Sequence, residues 1–160
     1  MKIYSPKKLR GFTLIELLVV IGVLTILLAI VLVAINPARQ FSQANDTQRR
    51  SDVNAILNAI HQYGADNKGT LPSEITTLPK TISSAVDPDN IDLCNFLVPL
   101  YLADIPIDPT TGTESPDNSV CTAFGADYGS DYTVSKNADN RVTVTATPEI
   151  TPPATITVTR

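Results

Sequence analysis

The sequence predicts an α+β chain in which a long N-terminal helix, half membrane-embedded and half amphipathic, packs against a small head built on an antiparallel sheet. Three observations predict it. Residues 12–35 form an apolar run that carries one acid, Glu16, and follows a basic leader. Residues 39–63 lose that all-round apolarity and keep an apolar stripe at helical spacing. Residues 131–146 then alternate apolar and polar side chains on both sides of a run of turn formers. The corresponding division is a leader at 1–11, a transmembrane helix at 12–36, an amphipathic helix at 37–64, and a globular head at 65–160.

The leader holds Lys2, Lys7, Lys8 and Arg10, and after Glu16 no charged residue follows until Arg39. That asymmetry places the N-terminus in the cytoplasm and the bulk of the chain outside. Leu17 to Ile35 supplies 19 uncharged residues, and Phe12 to Ile35 as a helix spans about 36 Å, enough to cross a bilayer. A secretory signal puts its small-residue cleavage site after a short apolar region, whereas the small residue here, Gly11, precedes a long one. A carboxylate in hydrocarbon is costly unless paired, so Glu16 needs a partner. A cut after Gly11 creates a new amine on Phe12, four residues and about one helical turn away.

Gly11-Phe12-Thr13-Leu14-Ile15-Glu16, with the basic leader before it and the apolar run after it, resembles the processing motif of the type IV prepilin and type II secretion pseudopilin family. The resemblance covers residues 1 to about 65. It implies a cleaved leader, cut between Gly11 and Phe12 by a membrane prepilin peptidase that also methylates the Phe12 amine. It implies that Glu16 engages the Phe12 amine of a neighbouring subunit during assembly. The expected product is a structural subunit of a type IV pilus-like filament, with the major pseudopilin of a type II secretion or DNA-uptake system as the alternative. Implied partners are other copies of the chain in a helical filament, the peptidase/methylase, an inner-membrane assembly platform, minor pilins, and the membrane before assembly. Implied locations are a single-pass membrane precursor and then an extracellular or periplasmic filament. The family often carries a helix-distorting proline inside the apolar run, where this chain has Val33 and Ala34.

Along the rest of the chain, Asn36-Pro37 marks a helix perturbation, a bend without a necessary end. Val53, Ile56, Leu57, Ile60 and Tyr63 form the stripe on which the head packs, with Arg49, Arg50, Asp52 and Asn58 among the polar residues between. Gly64 is the expected stop, so residues 12–63 as one straight helix measure about 78 Å. Residues 65–92, with Pro72, Pro79 and Pro88, read as a surface connection. A short helix at 94–102 is limited by Pro99. Residues 102–112, LADIPIDPTTG, follow a turn-rich path pinned by Ile105 and Ile107, and resemble the segment that precedes the sheet in major pseudopilins. Strands are expected at 131–135 and 141–146, closed as a hairpin by 136–140, with a further strand near 120–128. Residues 154–160 are an edge strand or a loose tail.

About 95 residues follow the helix, enough for one small domain whose core is marginal alone. The two cysteines bear on this. Cys94 and Cys121 enclose 28 residues on an exported segment, where disulfides persist, and a bond between them is worth roughly 3–4 kcal/mol; two unpaired thiols are the alternative.

Nothing in the chain specifies catalysis. His61 stands alone near the end of the amphipathic helix, without a nucleophile and acid series around it, and reads as a surface or helix-end residue. Asp104, Asp108, Asp117, Asp127 and Asp131 are hard-oxygen candidates for calcium, the one cofactor entertained. They lack a glycine-centred loop, which favours solvated turn acids. Asn45-Asp46-Thr47 is a minimal glycosylation sequon of the kind that arises by chance. Loss of residues 1–11 removes four basic residues and no acid, leaving 8 basic against 16 acidic side chains. No direct nucleic-acid binding is expected of such a monomer; a positive groove from Arg39, Lys68, Lys80, Lys136 and Arg141 would have to be made by assembly.

Overall fold

The computed structural model describes residues 11–114, 121, 128–150, 152 and 155–160. It divides into two compact units, Met1–Gln40 and Phe41–Arg160.

The first unit is built on helix α1, Leu14–Ile35. Every large apolar side chain from Leu14 to Val33 is more than half exposed, so this helix has no core of its own to join. Among the described residues it is the single helix long and apolar enough to cross a membrane, over Leu14–Ala34 with a mean hydropathy of 3.3. Lipid or other helices must cover such a surface. Helix α1 ends at Asn36, whose φ of 44° lies in the left-handed region that asparagine tolerates. Pro37 then opens helix α2, Pro37–Asp66, where its missing N–H is one the first turn would leave unbonded anyway. The Asn36 side chain accepts from the Arg39 N–H at 3.4 Å. The expected continuous helix over 12–63 is therefore corrected to two helices separated at Asn36. The reason is local: proline withholds a backbone donor, and asparagine takes the backbone conformation that ends the preceding helix.

In the second unit, α2 buries Val53, Ile56, Leu57 and Ile60 against a five-stranded sheet. The strands are β1, Lys80–Ser83; β2, Asn90–Ile91; β3, Gly129–Lys136; β4, Val142–Ala146; and β5, Ile156–Thr159, in the order β2-β1-β3-β4-β5. Pairs β1/β3, β3/β4 and β4/β5 are antiparallel, and β1/β2 is parallel, so the sheet is antiparallel with one parallel edge. Tyr132, Val134, Val142, Val144 and Ile156 face the helix, while Thr133, Thr143, Thr145 and Thr157 face out, the period-two pattern of a sheet covered on one side. The β3/β4 turn is held by Asn137, whose Oδ1 accepts from the Asp139 and Arg141 N–H groups.

Three expectations change. Helix α2 runs through Gly64 and stops beyond Asp66, where Lys68 and Gly69 take positive φ and the Gly69 N–H bonds to the Gly64 carbonyl at 2.7 Å. Gly69 supplies the left-handed residue that Gly64 was expected to supply. The connection at 65–92 contains β1 and β2, which are too short to show a period. The helix expected at 94–102 is the single turn α3, Cys94–Leu97, ended by Val98-Pro99. The strand expected near 120–128 falls almost wholly outside the described residues.

Cys94 is bonded to Cys121 with a Cα–Cα distance of 5.4 Å. Beside Cys94, Phe96 of α3 meets Tyr63 of α2 edge-on, and Tyr63 meets Tyr101 likewise, at ring-centroid distances of 5.8 and 5.9 Å. The disulfide and this aromatic cluster tie α3 into the head.

Candidate functional site

At the N-terminal site, Gly11 and Phe12 lie ahead of α1 in irregular backbone, with Phe12 85% exposed. A Cβ built on Gly11 would meet nothing within 4 Å. Its own fold therefore does not require glycine there, and any such requirement belongs to whatever recognises the segment. The same holds for Gly22.

Thr13 is the N-cap of α1, and it forms a reciprocal capping box with Glu16. The Thr13 hydroxyl accepts from the Glu16 N–H at 3.3 Å, while Glu16 Oε2 accepts from the Thr13 N–H at 2.9 Å and from the Thr13 hydroxyl at 2.7 Å. The carboxylate is thus held at the positive end of the helix dipole, on the residue next to Phe12. Its Oε1 has no partner among the described residues, which leaves an acceptor for a further cation. Thr13 was missed in the sequence reading, although Thr-x-x-Glu before an apolar run is a sequence-level sign of such a box.

A second polar site lies inside the head. Arg49 is 2% exposed, on the same face of α2 as Val53, Ile56 and Ile60. Its guanidinium makes a two-pronged contact with Asp108, Nε to Oδ2 at 2.6 Å and Nη2 to Oδ1 at 2.8 Å. Nη1 donates to Asp46 at 2.9 Å and to Glu149 at 3.1 Å, and Nη2 donates to the Thr110 hydroxyl at 2.6 Å. Asp46 also accepts from the N–H groups of Glu149 and Ile150, and Asp108 from those of Thr110 and Thr111. One side chain thereby joins α2 to the segment between α3 and β3 and to the segment after β4. Gly112 makes the turn possible, since a Cβ there would overlap the Ile107 side chain and the Asp108 backbone.

The sequence reads Asp108 as a solvated turn acid or a calcium ligand; the structure corrects both readings, since it is buried with each carboxylate oxygen bonded to Arg49. The sequence reads Arg49 as one of the polar residues between the stripe positions, yet it stands four residues before Val53 and so in line with the stripe. Asp52, another of those polar residues, is half-buried and accepts from the Tyr132 hydroxyl at 2.9 Å. Asp117 and Asp127 lie outside the described residues, and among those described no group of three potential metal ligands occurs. The leader lysines and Arg10 also lie outside. His61 is half-buried, and its Nε2 has no hydrogen-bond partner among the described residues. The Asn45 amide of the sequon is bonded to Glu149 at 2.8 Å.

Burial alone would raise the Asp108 carboxyl, but the Arg49 guanidinium and the Thr110 and Thr111 N–H groups hold it well below the usual range. Asp46 follows the same balance: burial raises it, and the Glu149 and Ile150 N–H groups with Arg49 bring it lower. Asp52 is raised, chiefly by burial. Groups depressed in the fold stabilise it above their unfolded values, near pH 4, and lose that contribution as pH falls through the folded values. Asp52 acts in the opposite sense, costing stability as pH rises past about 4. The expected outcome is an acid unfolding limb below about pH 4 that is lower and flatter in Asp108→Asn, measured by circular dichroism at a series of pH values.

Compared with known families, residues 6–32 match the one described as "Prokaryotic N-terminal methylation motif". Neither the curated proteins nor the solved structures compared with the chain give a match. The match spans the end of the leader, Gly11, Phe12, the Thr13–Glu16 box and most of α1. The chain therefore carries an N-terminal methylation motif typical of type IV pilin and pseudopilin biogenesis, ahead of a helix-and-sheet head of pilin-like build.

Proposed function

We propose that the chain is a structural subunit of a type IV pilus-like filament, made as a membrane precursor and assembled through α1. The observation that carries this reading is the methylation motif at 6–32 leading into a helix whose apolar surface is uncovered from Leu14 to Val33. The leader stays cytoplasmic, a prepilin peptidase cuts between Gly11 and Phe12, and the Phe12 amine is methylated. Before assembly, lipid covers α1. Afterwards neighbouring copies of α1 replace the lipid, and Glu16 pairs with the Phe12 amine of the adjacent subunit. The head, closed by Cys94–Cys121, forms the exterior. The peptidase, an inner-membrane platform and minor pilins are the partners such a route requires.

The major pseudopilin reading has its own support in residues 102–112, the segment resembling that subfamily, which Arg49 and Asp108 anchor to α2. Deletion of the gene followed by fibre imaging and a secretion assay separates the two. For the shared reading, intact-mass analysis of sheared fibres is expected to give a chain that begins at methylated Phe12. Fibres composed of the uncut chain would overturn it.

A further inference from the structure

Among the described residues, the strand order leaves β5 with one side unpaired. Which of its backbone groups face that side follows from its ladder with β4. Val142 and Arg160 exchange both N–H···O bonds, at 2.7 and 3.0 Å, and in an antiparallel ladder such bonded pairs alternate with unbonded ones. With Val144 opposite Val158 and Ala146 opposite Ile156, residues 156, 158 and 160 bond to β4. The N–H and C=O groups of Thr155, Thr157 and Thr159 consequently point away from the sheet, and their side chains are exposed. Residues 155–159 carry no charge, proline or glycine, the usual means of blunting an edge, and the Arg160 that follows them is bonded back to Asn58 of α2 at 2.9 Å. On its helix side, Arg50 and Asn54 of α2 face Ile156 and Val158 across a groove of about 300 Å³. The groove leaves room for the inward side chains of one more strand.

The strand whose pattern fits this edge is β5 itself. Paired antiparallel about Thr157, two copies set Thr157 opposite Thr157 and Thr155 opposite Thr159, so all the outward groups meet in about six backbone bonds. Threonine would face threonine, as it already does across β4/β5, where the hydroxyls of Thr143 and Thr159 lie 2.8 Å apart and those of Thr145 and Thr157 lie 3.4 Å apart. On the groove side, Ile156 would meet Val158. We propose that two copies of this chain associate through their β5 edges, in a two-fold pairing centred on Thr157 that extends each sheet into the other. Such a pairing closes on itself and cannot run along a fibre. On the filament reading it joins subunits of two fibres lying side by side, and the pairing itself needs no fibre.

The test uses the full-length chain in detergent, with Cys94–Cys121 intact, under mild oxidation and nonreducing electrophoresis. Thr157→Cys is expected to form disulfide-linked dimers at least about tenfold more than Thr145→Cys, which lies on the same sheet face away from the edge. In a mixture, Thr155→Cys chains should cross-link to size-tagged Thr159→Cys chains more than either does to itself. Adding Thr157→Pro to both partners should abolish that link, because the proline removes an outward N–H and no bond to β4. Equal cross-linking at Thr157→Cys and Thr145→Cys would overturn the pairing, as would a Thr155–Thr159 link that survives the proline. Both cysteine comparisons stand even if the proline variant fails to fold. They are made on uncut precursor, so failure here is distinguishable from failure of the filament reading.

Discussion

Glu16→Ala is expected to insert in the membrane and be cut after Gly11 at normal levels, yet to lower the yield of sheared fibres by at least about tenfold. The carboxylate is the one charge in an otherwise uncharged span, and among the described residues only its Oε2 is engaged, by Thr13. On the filament reading, a charged Phe12 amine arriving from a neighbour would give the second oxygen a partner in a medium where attraction and the cost of an unpaired charge both exceed their values in water. Loss of half of a capping box costs only about 0.5–2 kcal/mol of helix stability, too little to explain a collapse in assembly. Glu16→Gln separates the two roles: it keeps an acceptor for the Thr13 N–H and removes the charge. Fibre yield should stay low in Glu16→Gln if charge recruits the subunit, and recover if capping is what matters. Replacement of Gly11 by a large residue should instead block the cut itself, so N-terminal mass and fibre yield, with membrane protein level as control, place each variant at its own step. Normal fibres from Glu16→Ala would end the recruitment role.

Arg49→Met is expected to destabilise the head by roughly 3–5 kcal/mol, the usual cost of removing one partner from a buried ion pair. The methionine fills part of the volume, but Asp108 and Asp46 remain buried without their cation, and Thr110 loses a donor. Arg49→Lys should recover only part of the loss, because a single ammonium cannot supply the two-pronged contact with Asp108 while also reaching Asp46 and Glu149. The double variant Arg49→Met with Asp108→Asn should be less destabilised than the sum of its parts, since one unpaired charge disappears with the other. Denaturant unfolding of the full-length chain in detergent, followed by near-ultraviolet circular dichroism, measures all three. A loss below about 1 kcal/mol in Arg49→Met would mean that the head relaxes around the acids and that Arg49 does not hold the segments together.

The sheet and the helix were legible where the local pattern was long enough to carry a period. Val53, Ile56, Leu57 and Ile60 declare a buried helix face, and Tyr132, Val134, Val142 and Val144 declare strands facing it. The four-residue β1 and two-residue β2 have no room for a period, and their pairing with β3 and with each other depends on chain far away in sequence. Two features did have signals that went unread: the Thr13–Glu16 box, and the alignment of Arg49 with the stripe that follows it. The break at Asn36 was visible as Asn-Pro, but whether the helix bends or ends rests on a single backbone conformation that either outcome could precede.

What the sequence determined by itself is what depends on neighbours along the chain. A charge-free span after a basic leader, one acid a turn from Phe12, and alternating apolar residues near the C-terminus act through local geometry and through solvent, and both can be read from residue order. The partner of Arg49 could not be read in that way. Nothing near position 49 distinguishes Asp108 from Asp104, and both stand in a turn-rich segment that looks solvated. Only the packing of residues 105–112 onto α2 removes water from Asp108 and brings its two oxygens to 2.6 and 2.8 Å from the guanidinium. That choice belongs to the tertiary structure because the cost of a buried charge, and hence the need for its partner, arises only once the surrounding chain has closed over it.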